Sequence, residues 1–258
     1  MSVSFLYYIC NIIMKIINPF QDIEHKVYNR TFMREASADI EYVETSLSAK
    51  ADVLVKYLKD NFNVDFNPQG GSEVGTIEVS AKQQHLLFAF SKTLASVRIG
   101  ARDYRSFAST MQPGIGRLVS FLNAIGVTEV VRVTLKKQNV WDLDSEDVFN
   151  AFKTAIPYTF SDDGIREVAR LNISNSPKPV KISREANAEI GDGRLVVKFD
   201  AEILDERHIR FVLGLEAFAN DVKVAEILES SSLLNDIIYA AFHDLVTPDI
   251  IKLMEKAQ

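Results

Sequence analysis

The chain predicts an α+β protein: two consecutive units, each a strand, a helix, a run of antiparallel strands and a second helix. Their strands would form one long curved antiparallel sheet with the helices on one side. Three observations predict this. The order of elements over residues 31–127 recurs over residues 128–258. The strand segments alternate apolar and polar residues with a period of two, as half-buried strands do. Each run of strands is followed by a stretch of helical period with an apolar face.

Residues 1–30 form an N-terminal extension. Phe5 to Ile17 is apolar apart from Asn11 and Lys15, too short for a membrane span and without the charged leader of a secretory signal. Met14 begins a more ordinary start, which marks residues 1–13 as a candidate mis-assigned start.

Phe32, Ala36, Ala38, Ile40 and Tyr42 fall on one side of the first strand, with Glu35, Ser37, Asp39 and Glu41 on the other. Leu47, Ala51, Leu54, Leu58 and Phe62 follow at helical spacing, with Ser46 placed to cap. The Gly-rich stretch from Asn67 to Gly75 is a turn region. Three short strands fit Gly75–Ser80, His85–Ser91 and Leu94–Gly100. Helical spacing resumes near Tyr104, is broken at Pro113 in the first turn of a new helix, and stops at Gly126.

In the second unit Val131, Val133 and Leu135 alternate against Arg132, Thr134 and Lys136, and Asp144 is placed to cap a helix holding Val148, Phe149 and Phe152. Four long alternating segments follow. Their apolar sides carry Ile165 to Ile173, then Val180, Ile182, Ala186, Ala188 and Ile190, then Leu195 to Ile203 after the turn signal at Gly191-Asp192-Gly193, then Ile209 to Ala217. The alternation predicts a sheet wet on one face. The last helix presents Ile227, Leu234, Ile238, Phe242 and Leu245 along one side, with Asn235, Asp236, Tyr239 and His243 toward others. Laying it on the dry face would stabilise by roughly 7–15 kcal/mol before ordering entropy is subtracted. Such a unit resembles the helix-grip arrangement. No linker separates the two, so they are not independent domains.

Composition restricts function more than it defines it. Hydrophobic content of 47% with 25% charged residues is that of a globular chain. A net charge of −6 argues against a general nucleic-acid binder. Cys10 is the single cysteine, so no internal disulfide and no cysteine-based zinc site can form, and a reduced, cytoplasmic setting fits best. The four histidines, His25, His85, His208 and His243, share no ligand spacing. The acidic run from Trp141 to Asp147 lacks a calcium loop's glycine and reads as a helix start favoured by the macrodipole. No phosphate loop, nucleophile elbow or catalytic cysteine is present, so no enzyme, cofactor or metal is expected.

Arg98, Arg102, Tyr104 and Arg105 sit where a strand gives way to a helix, a place able to hold a phosphate or carboxylate. Their alternative is pairing with Asp103 and the acidic surface. Basic side chains at Arg166, Arg170, Lys181, Arg184, Arg194 and Lys198 share the wet face with Glu185, Asn187, Glu189, Asp200 and Glu202, which dilute them.

Leu234-Asn235-Asp236-Ile237-Ile238, then Phe242, then Thr247-Pro248, resembles the closing signature of a sporadically distributed family of uncharacterised bacterial proteins of about 250 residues. Tyr104 with Phe107, Leu135 followed by Asn139, and the strand ending near Asp200 are similar too, so that the resemblance spans Ser96 to Met254. Asn235 stands where that family has His, so no role of that histidine carries over. The resemblance implies no activity; the family's patchy distribution implies accessory gene sets such as defence or toxin–immunity loci. The expected binding residues are therefore Arg98, Arg102, Tyr104, Arg105 and Asn139. The leading expectation is a non-enzymatic protein whose wet face or rim binds a protein partner or a second copy of itself. The alternatives are a small-molecule carrier with a cavity between sheet and helix, and an anion- or nucleic-acid-binding face.

Overall fold

A computed structural model describes residues 16–20, 23–26, 28, 31–65, 75–81, 85–144, 181–204 and 208–255. The strands are β1 (Met33–Glu41), β2 (Ile77–Ala81), β3 (Leu86–Phe90), β4 (Leu94–Gly100), β5 (Glu129–Asp144), β6 (Lys181–Glu189), β7 (Gly193–Ile203) and β8 (His208–Lys223). The helices are α1 (Ala51–Phe62), α2 (Gln112–Ala124), α3 (Ile227–Leu245) and α4 (Pro248–Glu255). A π-turn, Phe107–Met111, runs into α2.

Among the described residues eight strands join one open antiparallel sheet in the order β2-β3-β4-β1-β5-β8-β7-β6, and four helices pack on it. The order reads the same outward from its middle: in each half the last strand of the meander returns beside the first, and the two first strands, β1 and β5, meet at the centre. The fold is therefore the α+β class that the alternation predicts. The expected helix over 145–152, the strand over 165–173 and residues 1–13 lie outside the described residues.

Local signals account for most elements. In β1 the residues Ala36, Ala38 and Ile40 are buried while Glu35, Asp39 and Glu41 line the other face. Ser46 accepts from the Ala49 amide at the entrance of the first helix, and Asn63 closes α1 in the left-handed region at φ 53°. Pro113 opens α2 and Gly126, at φ 81°, follows its end. Gly114 lies where α2 crosses β4: a Cβ there would come 3.1 Å from Val97 Cγ2, so a bare backbone sets the closeness of helix to sheet.

Trp141 to Asp144 continue β5, paired to Phe211, Arg210, Ile209 and His208 of β8, so the strand runs up to the point where a helix is expected to begin. One expectation is corrected. Ala186 and Ala188, expected to face the core, are exposed, because β6 is an edge strand and no described helix lies over it.

Gly193 makes the tightest turn-to-strand junction. A Cβ there would lie 2.1 Å from the Phe218 carbonyl oxygen on β8, inside any allowed contact. Gly193→Ala is expected to cost more than about 1 kcal/mol, since backbone must retreat to admit it. Urea unfolding monitored by circular dichroism checks this, and an unchanged midpoint would show that β7 and β8 separate freely.

Candidate functional site: a cavity between α3 and the sheet

On the helix-covered face, β5 runs Val133, Leu135, Lys137, Asn139, Trp141. Its apolar alternation is interrupted for two residues by a cation and an amide, and then resumes with a tryptophan that is 2% exposed. A bulge at Arg34 shifts the register of β1 here and turns Met33 inward opposite Asn139. Lys137 faces Leu215 across the β5–β8 ladder and Ala36 across the β1–β5 ladder. The small Ala36 leaves space beside it.

Beside Lys137 lies a half-open cavity of about 270 Å³, roofed by α3 and flanked by the turn leading into α2. Its lining mixes polar groups, among them Lys137, Asn139, Asn235, Tyr104, Tyr28 and Arg105, with the apolar Met33, Leu215, Ile238, Phe242 and Met254. Leu215 lies opposite Lys137 and Met33 opposite Asn139, so polar and apolar side chains alternate along its floor. The π-turn at Phe107 aims the preceding Tyr104-Arg105-Ser106 segment at the cavity. It is fixed by Thr110 Oγ1, which accepts from the Arg105 amide at 3.2 Å, and by Ser106 Oγ, which accepts from the Ser109 amide at 3.1 Å.

Lys137 Nζ donates to Asn235 Oδ1 at 2.7 Å and lies 5.6 Å from the centre of the Tyr104 ring. Burial lowers its pKa to about 8, against a smaller opposing pull from the Asp236 carboxylate. Burial likewise raises the phenol pKa of Tyr104 and of Tyr28, so both are neutral donors at ordinary pH. Asn235, expected off the apolar face of the last helix, is in fact 2% exposed, because the buried arc of α3 is wide enough to include it with Ser231 and Ile238.

A strap from the N-terminal side closes the rim. His25 stacks on Tyr239 at 4.0 Å and its Nε2 lies 3.1 Å from Asp236 Oδ1. The Tyr28 hydroxyl is 3.0 Å from His243 Nε2 and 3.4 Å from the Tyr239 hydroxyl, and the Lys26 amide donates to that hydroxyl at 3.0 Å. Two of the four scattered histidines are thus brought to one aromatic ring. Among the described residues no three His, Cys, Asp or Glu side chains are grouped to hold a metal ion.

Of the residues singled out in the sequence, Tyr104, Arg105 and Asn139 line this cavity. Arg98 and Arg102 do not. Arg98 projects from the opposite face of the sheet, its Nε 3.6 Å from Glu35 Oε1, and Arg102 is exposed in the turn after β4. Sequence reasoning missed Lys137, Asn235, Tyr28 and Met33. For Lys137 a signal existed, the break in β5's apolar side; for the others the partners are brought together only by the fold. Of the residues that carry the family resemblance, Tyr104, Phe107, Asn139, Asn235, Ile238 and Phe242 line the cavity, while Leu135, Leu234, Asp236, Ile237, Thr247 and Pro248 do not. No protein family model and no curated protein matches the chain.

Proposed function

We propose that the protein is a cytoplasmic, non-enzymatic carrier that holds a compact small molecule between α3 and the sheet. One observation supports this above the rest: between α3 and the sheet the fold leaves a half-open cavity of about 270 Å³ whose lining mixes a cation and neutral polar groups with apolar side chains. The volume lies just below the range of roughly 300–1,000 Å³ for ligand cavities, which suits a compact ligand. The aromatic residues that could have filled it do not: Phe199 and Phe211 pack on each other, ring centres 6.0 Å apart, and Phe242 forms wall. On the opposite face Lys136, Lys198 and Arg210 pair with Asp39, Glu185 and Asp142, which leaves their charges mutually compensated.

Methyl-labelled methionine reports occupancy directly. Of the five methionines, Met33 and Met254 line the cavity, while the buried Met111 does not. Short-chain and single-ring compounds such as hexanoate, indole and benzyl alcohol are expected to shift the Met33 and Met254 methyl resonances and leave Met111 in place. Ile238→Trp, which fills the cavity, is expected to abolish those shifts. Absence of any shift, or its persistence in Ile238→Trp, overturns the reading.

A further inference from the structure

We infer that the ligand of this cavity is an organic monoanion, an apolar body carrying one carboxylate, with the carboxylate seated against the Lys137 ammonium. The inference rests on the cavity being a binding site and names what it selects.

Charge is distributed against the composition. The chain carries 35 Asp and Glu against 29 Lys and Arg, yet the described lining of the cavity contains Lys26, Arg105 and Lys137 and no carboxylate. A cation partly withdrawn from water, as the half-buried Lys137 is, gains by pairing with an anion, because its desolvation cost is otherwise uncompensated. Lys137 spends one of its three N–H groups on the Asn235 amide oxygen, Asp236 acts on it only through the longer-range charge, and among the described residues no carboxylate forms an ion pair with it. A bound anion would complete the pair.

Unused donors surround the same point. The Asn139 side chain, 7% exposed, makes no hydrogen bond among the described residues, and neither does the Tyr104 hydroxyl. Both groups border the cavity, where a ligand can meet them. With the two remaining N–H groups of Lys137 they match the roughly four acceptor positions of a carboxylate. Of the three lining cations Lys26 is paired with Glu255 and Arg105 is exposed to solvent, so Lys137 is the one placed to meet a ligand's charge inside the cavity, and one cation balances one negative charge. The apolar side chains Met33, Leu215, Ile238 and Phe242 suit a short alkyl chain or one ring.

The test compares each acid with its uncharged isostere. The full chain is titrated calorimetrically at pH 7 with butyrate to octanoate and benzoate, with the matching primary amides, and with inorganic phosphate. Met33 and Met254 methyl shifts are followed alongside. Acids are expected to bind at least ~10-fold more tightly than amides, and phosphate not measurably. Lys137→Met is expected to remove the preference and weaken the acids by roughly 30-fold or more, as loss of one partner of a desolvated charge pair does. Amides binding as well as acids would sink the anion inference and leave the carrier reading standing. Silence from every compound would sink both. Phosphate competing on equal terms with the acids would also overturn it, by showing a bare anion site indifferent to the apolar walls. The acid–amide comparison in the unsubstituted chain needs no variant, so it decides even if Lys137→Met folds poorly.

Discussion

Lys137→Met is expected to make the ligand-free protein more stable at pH 7, even as it disables the site. A lysine whose pKa falls from 10.5 free to about 8 in the fold is held in its charged form against the preference of its surroundings. At about 1.4 kcal/mol per tenfold change, that penalty is ~3 kcal/mol. It is offset by the Asn235 hydrogen bond and the contact with Tyr104, each of order 1 kcal/mol at most, leaving a net gain of about 1–2 kcal/mol. For a chain of this length that is roughly 2–8 °C in thermal midpoint.

The pH dependence has a fixed sign. The folded pKa is depressed, so the unfolded chain binds more protons between the two values. The native protein carries the full penalty below pH 8, and its stability relative to Lys137→Met rises as the pH climbs from about 8 toward 10.5. Denaturant midpoints of both proteins at pH 7 and pH 9.5 check this. A destabilised Lys137→Met at pH 7 with a pH-independent difference would show that the folded lysine keeps its ordinary pKa, its charge fully compensated by its surroundings.

The largest loss is expected from Phe90→Ala. Phe90 is wholly buried on β3, beneath α1 and α2. Its ring centre is 4.5 Å from Phe121, 5.9 Å from Tyr57 in an edge-on contact, and 6.1 Å from Phe62. Removing it takes away a transfer term and opens a void that these three surrounding rings are too stiff to close, so the cost falls at about 3–5 kcal/mol. In thermal terms that is about 10 °C or more. Methyl shifts of Met33 and Met254 with hexanoate are expected to be retained, since Phe90 is not part of the cavity wall. A loss below about 1.5 kcal/mol would mean that this cluster repacks like a fluid.

Much of the scaffold was legible because alternation and capping are local. The apolar side of β1, of β4 and of β8 is written in every second residue, and Gly126 and Pro113 punctuate α2 where the fold needs them. The extent of β5 was not, since the acidic residues near Asp142 satisfy a helix N-terminus as readily as they satisfy Arg210, 2.9 Å away on β8. Nor could the edge position of β6 be read, because alternation describes a strand's own two sides and not what lies over them. At the cavity, Tyr104 and Asn139 are single residues whose meaning depends on neighbours. Tyr28 reaches His243 across 215 positions of chain, and Lys137 reaches Asn235 across 98. No window along the sequence holds either pair.

The strand order symmetric about β1 and β5 bears on how the chain assembles during synthesis. β1 to β4 complete their ladder among residues 33–100, so the amino-terminal half can zip up while the ribosome is still adding the remainder. The chamber, by contrast, borrows from both halves and from the amino-terminal strap, and its roof is the nineteen-residue helix Ile227–Leu245, made only after the strands of both halves. A nascent chain therefore owns a stable body well before it owns a place to put its cargo.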